Sequence, residues 1–459
     1  MERDNRSLGR AFHRGLERLR SAKTMYRRLK SFLILAFVAL AIFLTGQLWF
    51  VNLSNRNFFL YLAARWNPSV AEGYREFVRP MRFIYGDGTG RFDKSYSGLM
   101  DAHSRTYFDA VLTELFDSGT FLSVSTTDYV RLHSRPVLIY EYAFPMPANI
   151  FPLGFNQRTG GFLTTRGIGE FTSVAIWLPY EAEGISVFFI GHGQKWEFNL
   201  DMAGLDGFPV IPVSTVGLHF VSAVLEGYDN LPPGTFVPRS GDQGRFPFSP
   251  AIVTNPYLTH AGASLNYIRN RVAPFFDNPA TMRGRVAGDG VWTYSNIHTT
   301  VRYFATEVLE YASFRPRRPN ATSSLMGDFS AALAFIDNDN LVDNEIFLKG
   351  FEARGDGYVF WFGYILGYFP ILMPDGWLVA YGDVLPAPIE VVVSQGRVVL
   401  YRRLAHNFSL ATDYQWLTEG ALNYEALLQG HEEPVLDLSL GYMMNQTGNL
   451  RLELLARRY

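Results

Sequence analysis

Nine histidines stand at positions 13, 103, 133, 192, 219, 260, 298, 406 and 431, and no two share the short spacing that presents a pair of imidazoles to one zinc ion. No Gly-x-Ser-x-Gly stretch is present to raise a nucleophilic serine on a strand-to-helix turn. Gly86-Asp-Gly-Thr-Gly90 lacks the Gly-x-Gly-x-x-Gly spacing with which a helix N-terminus cradles phosphate, so it reads as a turn. Asp337-Asn-Asp-Asn-Leu-Val-Asp-Asn-Glu345 sets out alternate carboxylates as a calcium loop does. However, Leu341 fills a ligand position, Val342 stands where the loop needs glycine, and Leu348 replaces the bidentate glutamate. Glu181 and Glu183 flank a turn and read as a solvated loop, not as an acid–base pair. From these residues we expect no catalytic group, no cofactor and no metal: the protein is not an enzyme.

The elements around these residues alternate helices with strand meanders. A strand at Arg82–Tyr85 precedes the glycine turn. The apolar face of Leu99, Tyr107, Phe108, Val111, Leu112, Leu115 and Phe116 predicts a helix ending at Gly119. Strands are predicted at 136–142, 173–178 and 185–190, the last two joined by a hairpin loop at 181–184. Residues 231–256, rich in proline and glycine, read as loop. A helix at 263–273 then precedes strands at 290–294, 300–304 and 307–311. The last portion opens with a helix at 323–335, followed by strands at 345–352, 358–364, 376–381, 389–393 and 397–402. A helix at 418–429 and strands at 435–441 and 450–455 close the chain. Helix-then-meander blocks predict an α+β fold class with antiparallel sheets, in two or three external domains behind a single N-terminal transmembrane helix. We place the segments at 1–30 (basic stub), 31–53 (span), 54–180, 181–316 and 317–459.

The span is the run from Phe32 to Val51, with no charge between Lys30 and Arg56. About 20 helical residues cover a hydrocarbon core of about 30 Å, and Trp49 stands where an interfacial aromatic anchor belongs. Its apolar core is too long for a signal peptide, and no small-x-small cleavage site follows. The chain has no cysteine, which excludes a lipoprotein anchor and fits a bacterial envelope. Ten of the 41 basic residues but only three of the 43 acidic ones lie in 1–30, which leaves 31 against 40 beyond, a net of −9. The positive-inside rule therefore puts the stub in the cytoplasm and the acidic bulk outside. That balance also excludes nucleic acid as a partner. The stub either lies on anionic membrane lipids as a basic amphipathic helix, its apolar residues Leu8, Phe12, Leu16, Leu19, Tyr26 and Leu29 on one face, or is a solvated segment. Within the span, Ala41, Thr45, Gly46 and Gln47 offer small residues and one amide. These either face a partner helix or mark the outer boundary, where water supplies the bonds.

Several stretches carry a family resemblance. Leu44-Thr-Gly-Gln-Leu-Trp49 resembles the anchor exit of the YycH family, and Val78-Arg-Pro-Met-Arg-Phe-Ile-Tyr85 is similar to that family's first external strand. Trp292-Thr-Tyr294, Val308-Leu-Glu-Tyr311 and Leu333-Ala-Phe-Ile336 resemble the join of its central and C-terminal domains. Phe360–Ile371, Pro388–Val393 and Gly396–Arg403 are similar to its terminal sheet. The matches cover the anchor and the last third well and residues 145–285 poorly. The resemblance implies an accessory regulator of the YycG (WalK) sensor histidine kinase, which governs cell-wall metabolism, acting with YycI through transmembrane contacts. This chain departs from the family in its stub of about thirty residues. A membrane-anchored module binding a wall polymer or small ligand through an aromatic groove is the other class of function the composition permits.

Overall fold

The computed structural model describes residues 70–458 except 97–101, 156–160, 178–183, 202–217, 241–243, 259–263, 289, 317–321, 340, 368, 374–378, 381–382, 419–434 and 445–449. The stub, the apolar run 32–51 and the connector 54–66 lie outside those residues. Among the described residues, no helix is long and apolar enough to cross a membrane.

The first sheet is built where the sequence is most continuously apolar. Its strands are β1 (Arg82–Asp87), β2 (Arg91–Tyr96), β3 (Thr120–Thr126), β4 (Pro136–Pro147), β5 (Glu170–Trp177), β6 (Ile185–Gly191), β7 (Gln194–Leu200), β8 (Leu218–Ser222) and β9 (Phe236–Ser240). They join antiparallel in the order β3-β7-β6-β5-β4-β1-β2-β8-β9. The central strands are unbroken hydrophobic runs because both faces are covered. Leu138, Tyr140, Val174, Ile176, Val187 and Phe189 enter one core, while Val137, Ile139, Ala175, Trp177, Phe188 and Ile190 enter another. Helix α1 (Val70–Phe77) leads into this sheet, and α2 (Ala102–Ser118) packs on the first face with Phe108 stacked on Tyr140. On the second face, the short α3 (Tyr129–His133) inserts Leu132 and His133, and its N-cap Asp128 accepts from the Arg131 amide. One further turn, α4 (Gly161–Thr164), buries Leu163.

Two short ladders follow: β10 (Arg245–Phe248) and β11 (Ala251–Thr254) pair with β24 (Gln415–Thr418) and β23 (Asn407–Leu410). Helix α5 (Leu265–Val272) then leads to the second sheet, built from β12 (Arg283–Val286), β13 (Trp292–Ser295), β14 (Thr299–Tyr303), β15 (Val308–Ser313), β16 (Glu345–Arg354), β17 (Gly357–Leu366), β18 (Phe369–Leu372), β21 (Ile389–Ser394), β22 (Arg397–Leu404), β25 (Val435–Met444) and β26 (Leu450–Arg458). These eleven strands run β12-β13-β14-β15-β22-β21-β17-β18-β25-β26, with β16 also on β17. A small hairpin, β19 (Val379–Ala380) and β20 (Asp383–Val384), stands apart. Helix α6 (Leu325–Asn338), capped by Ser324, buries Phe329, Ala332 and Ile336 against the sheet, where Phe329 meets Phe360 and Phe362.

The α+β class holds, and the pairing is antiparallel with one exception, the parallel contact of β18 with β25. Both sheets belong to one compact unit, Asn67–Tyr459. Strands β5 and β6 pair with each other, as do β15 and β22. The stretch 231–256 is not plain loop, since it holds β9, β10 and β11. Pro238 and Pro247 are tolerated there because β9 is an edge strand and the β10–β24 ladder has only two strands. Of the strand expected at 376–381, Val379–Ala380 is described. The helix expected at 418–429 lies outside the described residues save Thr418, which ends β24.

Candidate functional site

Ala41, Thr45, Gly46, Gln47 and Trp49 all lie outside the described residues, as do Glu181 and Glu183. The other chemistry-bearing stretches have local explanations. Gly86–Gly90 is the β1–β2 turn, in which Asp87 Oδ1 accepts from the Thr89 amide at 2.7 Å and Gly88 and Gly90 take positive φ. The acidic stretch 337–345 is dispersed into separate structural tasks. Asp339 turns into the core, Asp343 accepts from Asn407, Asn344 holds the Phe408 backbone from both sides, and Glu345 pairs with Arg79. Among the described residues, no group of three or more His, Asp or Glu side chains could hold a metal ion.

Three ion networks replace the isolated candidates. The first runs across one face of the second sheet. Register puts Arg302, Glu310, Arg402, Glu390 and Trp361 directly opposite one another on β14, β15, β22, β21 and β17. Residues facing each other across antiparallel strands share a side of the sheet, so the five form one row. Glu310 accepts from Arg302 and Arg402, both at 2.9 Å, while Glu390 lies 3.6 Å from Arg402 and accepts from the Trp361 indole at 3.2 Å. Asp383 of β20 reaches Arg402 from above at 3.5 Å. Both glutamates are buried, and each oxygen has a donor or a cation beside it. That arrangement ties the five strands of the row together across one face.

On the opposite face, Arg403 is fully buried and donates through Nε to Asp339 Oδ2 at 2.6 Å. Tyr401 donates to the same oxygen at 2.9 Å, and Tyr257 lies 3.4 Å from the guanidinium. Burial by itself lowers the arginine's pKa, but Asp339 and the surrounding tyrosines more than offset this and hold it well above the usual value. Nearby, Glu307 sits at a left-handed φ in the β14–β15 turn and pairs with the buried His406. The His406 hydrogen bond, acting against burial, lowers the Glu307 pKa.

The third network joins the sheets. Arg82 of β1 pairs with Glu141 of β4 and, at 2.7 Å, with Asp437 of β25, while the Lys94 ammonium donates to the Leu438 carbonyl at 3.2 Å. Burial and the neighbouring Arg82 push the Lys94 pKa down to about 8. Burial would raise Asp437, but Arg82 and Lys94 outweigh it and the carboxyl stays below its ordinary value. The members of these networks lie far apart in the chain: the first meets through strand register, and the other two through the packing of elements on one another.

Comparison with known proteins gives one structural likeness. The fold is similar to the crystal structure of YycH from Bacillus subtilis, with a TM-score of 0.49 and 10% sequence identity over 84% of this chain and 94% of that one. No family model matches the sequence, and no curated protein matches it.

Proposed function

We propose that this protein is a membrane-anchored, non-enzymatic accessory regulator of a sensor histidine kinase that controls cell-wall metabolism. Its partners are a YycG (WalK)-like kinase and a YycI-like accessory protein. The observation that carries the reading is the ordered set of YycH-like stretches running from the span exit at Leu44–Trp49 to Gly396–Arg403. Beyond the anchor and Val78–Tyr85, those stretches converge on one body: β13, β15, α6, β17, β18, β21 and β22. They are the packing core of the second sheet, so the resemblance is one of architecture, and the function follows by analogy with that architecture. The non-enzymatic half is supported by the engagement of Glu310, Glu390 and Asp339 with arginines.

In this reading the chain is a single-pass membrane protein with its bulk outside the cell. Ala41, Thr45, Gly46 and Gln47 contact the kinase's helices, Trp49 anchors the interface, and the basic stub rests on inner-leaflet lipids. The test is co-purification of the full chain with the kinase, together with a wall-hydrolase reporter in cells lacking the chain. Kinase retention and altered reporter output are expected. An unaltered reporter, with the chain retained on wall polymer in place of the kinase, would transfer the assignment to an envelope-binding module.

A further inference from the structure

Among the described residues, strand β12 is an edge of the second sheet. Among the described residues it pairs with β13 alone, and all four of its residues are exposed. Alternation along the strand sends Arg283 and Arg285 to one face and Gly284 and Val286 to the other. Register identifies the faces. Gly284 stands opposite the buried Tyr294, and a Cβ there would lie 3.3 Å from Leu265 of α5, so Gly284 and Val286 look toward the α5 side. Arg283 and Arg285 stand opposite Ser295 and Thr293, on the side of the ion row. Leu265 and Val286 are 38% and 48% exposed, which leaves an apolar strip beside the strand.

Charge is concentrated along this edge. Between Ser264 and Gly288 stand four arginines, 269, 271, 283 and 285, against one acid, Asp277, which Arg315 engages. The chain beyond Lys30 carries a net of −9, so this basic strip is set in an acidic protein. Two copies of β12 placed edge to edge would set guanidinium against guanidinium, which disfavours self-pairing. An acidic strand meets no such repulsion.

We propose that β12 accepts an extended polypeptide segment of a partner as an added strand, one in which acidic residues alternate with apolar ones. The acids would lie opposite Arg283 and Arg285, the apolar residues would cover Val286 and Leu265, and the unpaired edge of β12 would supply the backbone hydrogen bonds. The chemistry demands alternation because charge and apolar contact lie on opposite faces of one strand. A negatively charged polymer without a peptide backbone would use the arginines alone.

The full chain in nonionic detergent, titrated with a fluorescent eight-residue peptide alternating aspartate and valine, tests this by anisotropy. Saturable binding is expected, with loss when two of the peptide's residues are replaced by proline. Two cross-strand charge pairs amount to roughly 2- to 30-fold in affinity, so Arg283→Ser with Arg285→Ser should weaken binding by that factor while leaving the circular dichroism unchanged. Arg283→Glu with Arg285→Glu should transfer preference to the peptide alternating lysine and valine. Equal binding of the proline-substituted peptide, competition by polyphosphate as strong as by the peptide itself, or unchanged preference in the double glutamate variant would overturn strand addition at β12.

Discussion

Asp339 and Arg403 form a pair whose members are each worse alone than together. Taking two charges out of water is costly, and their attraction offsets that cost only while both are present. Replacing Asp339 with Leu strands a guanidinium that has no access to water. The loss of stability should be about 3–5 kcal/mol, whereas combining it with Arg403→Met should recover much of that. Thermal unfolding of the protein across the four-member mutant cycle reads this directly, and additive losses would show the two residues to be uncoupled. His133 gives a second prediction, with a definite sign. Burial among Phe92, Phe236 and Tyr129 lowers its pKa to about 3, and its Nδ1 lies 2.7 Å from Ser222. An unfolded histidine takes up its proton near pH 6.5 and this one does not, so the unfolded state binds more protons between the two values. The contribution is therefore fully present above about 6.5 and is lost as pH falls toward 3, at up to about 1.4 kcal/mol per pH unit. His133→Phe should flatten that part of the stability–pH curve, and an unchanged slope would assign the acid sensitivity to other groups. Neither role was legible in the sequence. Asp339 read as a member of a calcium-like run and His133 as one scattered imidazole, because burial and a partner 64 or 89 residues away decide their chemistry.

Elements whose signal is local were legible, and those defined by distant partners were not. The apolar face ending at Gly119 marks α2, and Ser324 caps α6 much where the sequence places a helix start. The alternation and turn glycines of β17, β21 and β22 likewise needed no tertiary information. In contrast, β10 and β11 are four-residue strands in a proline-rich stretch and exist because β24 and β23 arrive about 150 to 175 residues later. The exposed edge β3 was also missed: its serines and threonines look like loop, yet β7 templates it from Thr120 to Thr126. Glycines show where elements approach too closely for a side chain. A Cβ on Gly357, at the start of β17, would lie 1.9 Å from the Val393 carbonyl oxygen of β21. Val393 belongs to β21, which is paired on both sides, and its backbone cannot give way as a side-chain tip can, so Gly357→Ala should cost about 1–3 kcal/mol. On the paired strand β16, a Cβ at Gly350 would meet only the Trp361 ring, at 3.6 Å, an ordinary contact. Gly350→Ala should therefore fall within about 0.5 kcal/mol of the parent. Denaturation midpoints that fail to separate the two variants would mean that β17 and β21 part more easily than their register implies.

At the scale of the whole molecule, the two sheets are tied by groups far apart in the chain, such as Arg82 with Ser439, 357 residues later. If the run 32–51 spans a membrane as proposed, a signal sensed outside would cross the bilayer through helices. In lipid no hydrophobic drive favours helix pairing, so close packing of small residues and interhelical hydrogen bonds select the partner, at about 0.6–2 kcal/mol per bond. If Gln47 bonds a kinase helix, Gln47→Leu should weaken association by about tenfold at most, since about 1.4 kcal/mol is one decade. Exchanging Phe32–Val51 for an unrelated apolar helix of equal length should cost more, because the packing face of Ala41, Thr45 and Gly46 is lost with the amide. Co-purification with the kinase and the wall-hydrolase reporter, measured for each variant, order the outcomes: parent above Gln47→Leu above the exchanged helix. Equal pairing and equal reporter output with the exchanged helix would place the regulatory contact on the external sheets, and the span would then be a tether only.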